Sequence, residues 1–434
     1  MRVQEDETVA AVGAEASTKR SFFGGIWHGA FLALGTALTQ PTTVVAAFIV
    51  ALTGSTVWVG GLSTVLSVAT ALPQLFFARW IQPRPRKKPF LLLAVYLRVL
   101  SWGLLAWMIV AIGSSRPQLL TWALVGLLAV FSIGGGIGGV PYTDIIGKVI
   151  PADRRGAFFG GRQLLSGPLA VGAAMLSRQV LREMAYPNAY ALLFGLAAVA
   201  LFIASFGVWM IREPAGDGKS AQILGWRDYA HRLWKAAGRM KLFIAVQMLT
   251  AFSLMAGPFY VVYASQKLDA PAEAVGLFTL FQVLGGAPAN LLWAHLVDRY
   301  GSWRMLTVCA TVSALTPLLA IGLGTMGWMG LLPVFLLFGA TLNGRTVGFS
   351  SVLLEIAPPG ERPTYSALST WLMLPAAFLP MVAGTLLQVW SFATIFGLTA
   401  AFIGLGAVLA WRLNRCEARS LTWAECPASQ RPMN

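Results

Sequence analysis

Long apolar stretches alternate with short charged ones along the whole chain. Ser21 to Ala78 contains no Lys, Arg, Asp or Glu. A helix needs about 20 mainly apolar residues to cross a bilayer, so this run holds two spans, broken at Thr53-Gly54-Ser55. Pro89–Gly113, interrupted by Arg98, gives a third. Pro117–Thr143, Ala157–Val180 and Ala189–Ile211 give the fourth to sixth, with Arg162 and Arg178 near the ends of the fifth. Leu242–Gln266 and Ala274–Val297 give the seventh and eighth. Met305 to Gly344 is uncharged and long enough for two spans, broken at Gly324 to Gly330. Pro363 to Trp411 holds two more, broken near Gln388. The pattern predicts an all-α integral membrane protein of twelve transmembrane helices.

Charge changes the picture by giving the spans a direction. Of the 32 Lys and Arg residues, Arg116, Arg178, Arg182 and Lys267 fall on one set of loops, and Arg98, Arg162 and Arg345 fall within spans. The other 25 fall on the opposite set, among them Arg79, Arg84, Arg86, Lys87 and Lys88 after span two. Basic loops stay in the cytoplasm, so both termini are expected there, in a multi-pass cytoplasmic membrane protein. The formal net charge of +15 then reflects topology, and nucleic acid is set aside as a partner. Composition agrees: 57% of residues are hydrophobic and 11% charged, against about 25% charged in soluble domains. No cleavable signal peptide is read in the polar first 20 residues. Cys309 lies in an apolar run, and Cys416 and Cys426 in the tail, so no disulfide framework is expected.

The loop between spans six and seven divides the chain. Glu213-Pro214-Ala215-Gly216-Asp217-Gly218 breaks the helix. Trp226, Tyr229, Leu233, Trp234 and Ala237 then recur at helical spacing, with Arg227, Arg232, Lys235 and Arg239 opposite them. That pattern predicts an amphipathic helix on the inner membrane surface; a platform for a cytosolic partner is the other reading. The expected organisation is a tail (1–20), six spans (21–211), the linker (212–241), six spans (242–413) and a second tail (414–434). The halves read as repeats. Pro41 matches Pro258, Val59-Gly60-Gly61-Leu62 matches Val275-Gly276-Leu277, and Pro73 matches Pro288. Pro151-Ala152-Asp153-Arg154-Arg155 matches Pro358-Pro359-Gly360-Glu361-Arg362. The offsets lie between 207 and 217 residues.

One loop carries a signature. GGAPANLLWAHLVDRYGSWR, Gly285 to Arg304, ends an apolar helix in Asp298-Arg299-Tyr300-Gly301 and opens the next with Arg304. Gly301 suits a positive φ in a tight reversal. With the duplicated six-span pattern, this string resembles the loop signature of the major facilitator superfamily, Gly-x-x-x-Asp-Arg-x-Gly-Arg-Arg. Ala294 stands at the first Gly, and Ser302-Trp303 precede the basic residue. The resemblance covers about residues 21 to 413. It implies two six-helix bundles and a transporter that works by alternating access around a site near the midplane. It also implies that Asp298 gates the inner side by meeting the start of span five, Arg155-Gly156-Ala157. The first-half counterpart of Asp298 is Gln82, which has lost the charge.

Polar residues inside spans are costly in lipid and carry the functional information. Of 17 Asp and Glu residues, only Asp144 and Glu355 fall within helices away from loops. Each precedes a basic residue at the next helix start, Arg155 and Arg362, and reads as an ion-pair lock, or alternatively as a substrate contact. Arg98 is expected to snorkel towards the basic loop, and Arg162 to join the Asp144 cluster. Arg345 stands midway along span ten, in the substrate path or paired with Glu355; ten residues separate those two, about 15 Å along a helix. His28 is a structural residue or a proton acceptor. The candidate substrate contacts are Gln40, Tyr142, Gln163, Gln247, Tyr260, Gln282, Asn290, Asn343, Arg345 and Tyr365. Asp298, Arg299, Gly301, Arg304, Asp144, Arg155, Arg162, Glu355 and Arg362 are the gating candidates. This mix suits a small amphipathic or anionic organic solute. No cofactor, metal cluster, phosphate-binding loop or catalytic constellation is written in the chain. The expected protein is a monomeric solute transporter; a lipid or drug flippase of the same fold and a non-transporting scaffold or sensor are the alternatives.

Overall fold

A computed structural model describes residues 2–81, 84–113, 115–214, 240–357 and 362–417. The amphipathic linker helix, Gln82, Pro358 to Glu361 and Cys426 lie outside the described residues. Among the described residues there is no strand. Twelve helices among these residues are long and apolar enough to cross a membrane, as the hydropathy pattern predicts. Spans one to six are Thr18–Thr53, Thr56–Gln74, Lys88–Ile112, Pro117–Val149, Arg155–Glu183 and Asn188–Met210. Spans seven to twelve are Met240–Lys267, Ala274–Tyr300, Ser302–Gly324, Trp328–Ile356, Leu368–Leu386 and Phe392–Arg415.

The predicted breaks fall where backbone chemistry requires them. Gly54 separates spans one and two at φ 66°, and Gly301 separates eight and nine at φ 85°, a region glycine enters without steric cost. Span one is itself interrupted by a π turn at Pro41–Val45, because Pro41 has no N–H for the helical ladder. Span seven is broken twice, around the short helix Ser253–Ala256 and again before Phe259–Lys267.

Two compact units emerge. The first comprises Met1–Gln40 and Val65–Ile223; the second comprises Pro41–Thr64 and Leu224–Asn434. In the first unit, span three packs on spans four and six, and span one on spans five and six. Glycines set the closeness. A Cβ at Gly24 would lie 2.6 Å from the Gly207 carbonyl oxygen, and one at Gly136 only 2.3 Å from that of Thr70. In the second unit, spans eight and ten press together at Gly285 and Gly339, where a Cβ would fall 1.9 Å and 2.0 Å from facing backbone oxygens. Small residues permit this backbone approach in lipid, where apolar burial supplies no drive for helices to associate.

The ends of spans one and two that meet at Gly54 pack within the second unit. The Thr43 and Thr279 hydroxyls lie 2.6 Å apart, and Thr42 Oγ1 donates to Gln282 Oε1 at 3.1 Å. Thr56 Oγ1 donates to the Gly384 carbonyl at 2.8 Å. A Cβ at Gly60 would stand 2.1 Å from the Pro380 carbonyl oxygen.

At the other end of the first unit, two helix termini satisfy each other. Glu213 accepts from the Lys87 and Lys88 backbone N–H groups at 2.8 Å, groups that the start of span three leaves without helical partners. Lys88 Nζ returns the contact by donating to the Trp209 and Ile211 carbonyls at the end of span six, at 2.9 and 2.7 Å.

Candidate functional site

The second unit holds a guanidinium in the middle of span ten. Its position follows from a fault in span seven. Leu254 N–H bonds to the Ala251 carbonyl rather than to that of Thr250, four residues back. The Thr250 carbonyl thereby leaves the helical ladder, and a buried carbonyl needs a new donor. Arg345 Nη1 supplies it, and also donates to Ser253 Oγ at 2.6 Å. The guanidinium lies over the Phe349 ring, 5.8 Å from its centroid. Arg345 is half-buried, and among the described residues no carboxylate pairs with it. Glu355 instead accepts from Ser302 Oγ at 2.6 Å.

Around Arg345 the predicted polar residues divide. Gln247 accepts from Ser369 Oγ at 2.8 Å, joining spans seven and eleven. Asn343 Nδ2 donates to the Gly286 carbonyl at 2.8 Å, tying span ten to span eight. Buried Gln282 receives Thr42. Gln40 and Asn290 are half-buried, and Gln163 is exposed. The two candidate tyrosines of this unit, Tyr260 and Tyr365, lie elsewhere. Tyr260 is enclosed by Phe335, Phe338 and Phe396 at ring distances of 6.2, 5.5 and 5.1 Å. Tyr365 is 0% exposed, inside an apolar cluster with Phe243, Trp303 and Val352, and among the described residues its hydroxyl has no partner. Both rings are packing residues here: an aromatic body gains more from burial than its single hydroxyl costs. Tyr365→Phe is therefore expected to keep full activity and to leave the melting temperature unchanged or raise it, because it removes a buried unsatisfied group. Thermal unfolding in detergent, followed by an uptake assay, checks this.

In the first unit, Arg162 Nη1 donates to the Tyr142 hydroxyl at 2.8 Å. It does not join Asp144 as the sequence suggested. Asp144 binds Lys87 at 2.9 Å and Lys148, one turn further along its own helix, at 2.7 Å. Arg155 donates to the Gly147 and Ile150 carbonyls, which the end of span four leaves open. Lys87 wins because the turn into span three brings it beside Asp144, whereas Arg155 faces the nearer carbonyls. The two halves repeat this arrangement: the acid ending span four or ten meets the residue opening span three or nine, Lys87 or Ser302. Arg98 does not snorkel. Its guanidinium lies 4.4 Å from the Phe131 centroid, and Phe131 stands thirteen residues deeper in span four than Asp144. His28 Nδ1 lies 3.1 Å from the Ala204 carbonyl, which can only accept, so that nitrogen carries the proton.

Of the gating residues in the signature loop, Asp298, Arg299 and Arg304 are exposed. The Arg299 guanidinium sits over the Tyr300 ring at 5.4 Å, and Gly301 N–H closes on the Val297 carbonyl at 2.9 Å. The Arg362 side chain lies outside the described residues.

Comparison with known proteins now bears on these helices. The family model for the Major Facilitator Superfamily matches residues 242–423, the half that carries Asp298 and Arg345. The chain is also similar to solved structures over nearly its whole length. A bacterial homologue of the iron transporter ferroportin, inward-facing, covers 89% of this chain and 98% of its own at TM-score 0.66 and 18% identity. The D-xylose-proton symporter covers 91% and 96% at 0.66 and 17%. A mutant of the nucleoside transporter NupG covers 90% and 98% at 0.68 and 12%.

Its C-terminal half is similar to the Major Facilitator Superfamily.

A protein of Cronobacter sakazakii named as a multidrug resistance protein, MdtD, is 26% identical over 223 residues; the match spans 45% of this chain and 45% of that one. At these identities the solved structures establish the fold alone. Their cargoes, a metal, a sugar and a nucleoside, differ from one another, so the fold does not select the solute. Sequence reasoning missed Thr250, Ser253 and Ser369, which hold Arg345 and Gln247 in place. The Ser253 and Ser369 hydroxyls, on spans seven and eleven, were the available signal, whereas nothing in the residue type marks the Thr250 carbonyl. It also missed Lys87, Lys148 and Glu213, which lie on the loop side of the last apolar residue.

Proposed function

We propose that this protein carries a small organic anion across the cytoplasmic membrane by alternating access, as a monomer with both termini in the cytoplasm. Arg345 carries the reading. An Arg in the middle of a membrane helix costs at least about 2.5 kcal/mol on insertion scales, yet its described partners are a carbonyl and a hydroxyl. These fix the guanidinium without neutralising it. A carboxylate, phosphate or sulfate of the solute is then its counter-charge, bound through paired N–H donors. A metal-ion cargo fits less well: among the described residues no three His, Cys, Asp or Glu side chains converge. Uptake of labelled organic anions into proteoliposomes tests the reading, with neutral and cationic compounds as controls.

Drug efflux is the second reading, favoured by the partial match to the multidrug resistance protein. An amphipathic anionic drug satisfies both.

The contacts of Thr42, Thr43, Thr56 and Gly60 form the outer gate in this scheme. Asp298 of the signature loop works the inner one. With Gln82 at the corresponding place in the first half, the inner gate depends on one carboxylate. Asp298→Asn is expected to shift the population towards the inward-open state. Spin-label distances across the cytoplasmic side report it, and an unchanged distribution contradicts the assignment.

A further inference from the structure

We infer that the first unit carries its own anion site, formed by Arg162 of span five and Tyr142 of span four; this rests on the reading of the cargo as an organic anion. The Arg162 side chain does not hang free. It lies across Gly29 of span one so closely that a Cβ there would fall 2.2 Å from Nε, 2.6 Å from Cδ and 2.7 Å from Cγ. Its Nη1 is fixed on the Tyr142 hydroxyl at 2.8 Å, and its guanidinium carbon lies 5.4 Å from the Tyr142 ring centroid. A long side chain is thus held in one geometry by a glycine groove and a phenol.

The pair is built to donate. A guanidinium has five N–H groups, and the Tyr142 hydroxyl is its described side-chain partner through one of them. That hydroxyl, by accepting from Arg162, keeps its own proton for a further acceptor. The arrangement therefore offers a phenolic O–H beside the remaining guanidinium N–H groups, and among the described residues no carboxylate pairs with Arg162. Both residues are half-buried. Arg98 adds a second positive charge to the same unit; its Nε is buried, with no hydrogen-bond partner among the described residues. The nearest acid along span four, Asp144, is already held by Lys87 and Lys148.

The ligand this set recognises is a planar or tetrahedral oxyanion, a carboxylate or a phosphate, with one oxygen on the guanidinium and one on the phenol.

The test is equilibrium binding of three probes, sodium succinate, inorganic phosphate and neutral erythritol, to the full-length protein in detergent by titration calorimetry. Arg162→Gln and Gly29→Ala are each expected to weaken succinate or phosphate binding roughly tenfold, since each removes or displaces a charge-assisted contact. Gly29→Ala is the safeguard against misfolding, because the atoms it meets belong to a flexible side chain. Tyr142→Phe should weaken binding less. If Arg345→Gln abolishes binding while both first-unit variants bind as wild type, the inference is overturned and the reading of Arg345 survives. If the first-unit variants lose affinity and Arg345→Gln does not, the inference stands and Arg345 is no anion contact. Wild-type protein that binds neither anion, or binds erythritol equally well, overturns it.

Discussion

Replacing Gly60 by leucine is expected to stop transport while the protein still inserts and folds. Any Cβ at this position would stand 2.1 Å from the Pro380 carbonyl oxygen, 2.8 Å from its carbon and 2.9 Å from Met381 Cα. All three are backbone atoms, so no side chain can swing away to make room. Overpacking of this kind costs about 1–3 kcal/mol. A change of about 3 kcal/mol moves a two-state equilibrium by roughly 100-fold. The clash acts only while the ends of spans one and two lie against span eleven, so it disfavours that arrangement and spares the alternative. Gly384→Leu should do the same from the other side, because its Cβ would meet the Thr56 carbonyl oxygen at 2.4 Å. A cysteine at Thr43 should become reactive to a membrane-impermeant maleimide in both variants, with uptake at background. Normal uptake with Thr43 still protected would mean that these contacts do not have to open.

Arg345 gives the other large effect. Arg345→Gln is expected to abolish uptake of anions, and Arg345→Lys to reduce it at least about tenfold. An ammonium keeps the charge but loses the planar fork that matches an oxyanion. It also cannot hold the Thr250 carbonyl and the Ser253 hydroxyl and still face a ligand as the guanidinium does. Ser253→Ala should weaken transport mildly, since the Thr250 carbonyl still anchors Nη1. Size-exclusion profiles must match wild type for these results to count. Uptake at the wild-type rate in both Arg345 variants would return this residue to a packing role over Phe349.

How much of this was legible depends on the distance over which each feature is written. Spans and their breaks are local. Thr53-Gly54-Ser55 and Tyr300-Gly301 announce turns because only glycine takes those dihedrals cheaply, and the structure turns at both. Arg345 was visible as a charge in an apolar run. Its partners were not, because the freed Thr250 carbonyl arises where span seven changes hydrogen-bond register, eight residues before Pro258, and no residue type marks it. Asp144 was visible too, but the choice of Lys87 over Arg155 is made by the turn between spans two and three. Sequence order favoured the wrong neighbour. Tyr260 and Tyr365 show the opposite difficulty. A phenol in a span suggests a binding contact, yet both rings pack inside aromatic or aliphatic clusters, and only the neighbours supplied by other spans reveal that.

The central claim is an anion carrier organised around one membrane-embedded guanidinium. Transient currents on a solid-supported membrane test it most directly, with proteoliposomes exposed to matched sets of anionic, neutral and cationic organic compounds. Wild-type protein is expected to respond to a subset of the anions, and Arg345→Gln to none of them. Responses confined to cations or neutral compounds, or anion currents of undiminished size in Arg345→Gln, would contradict it.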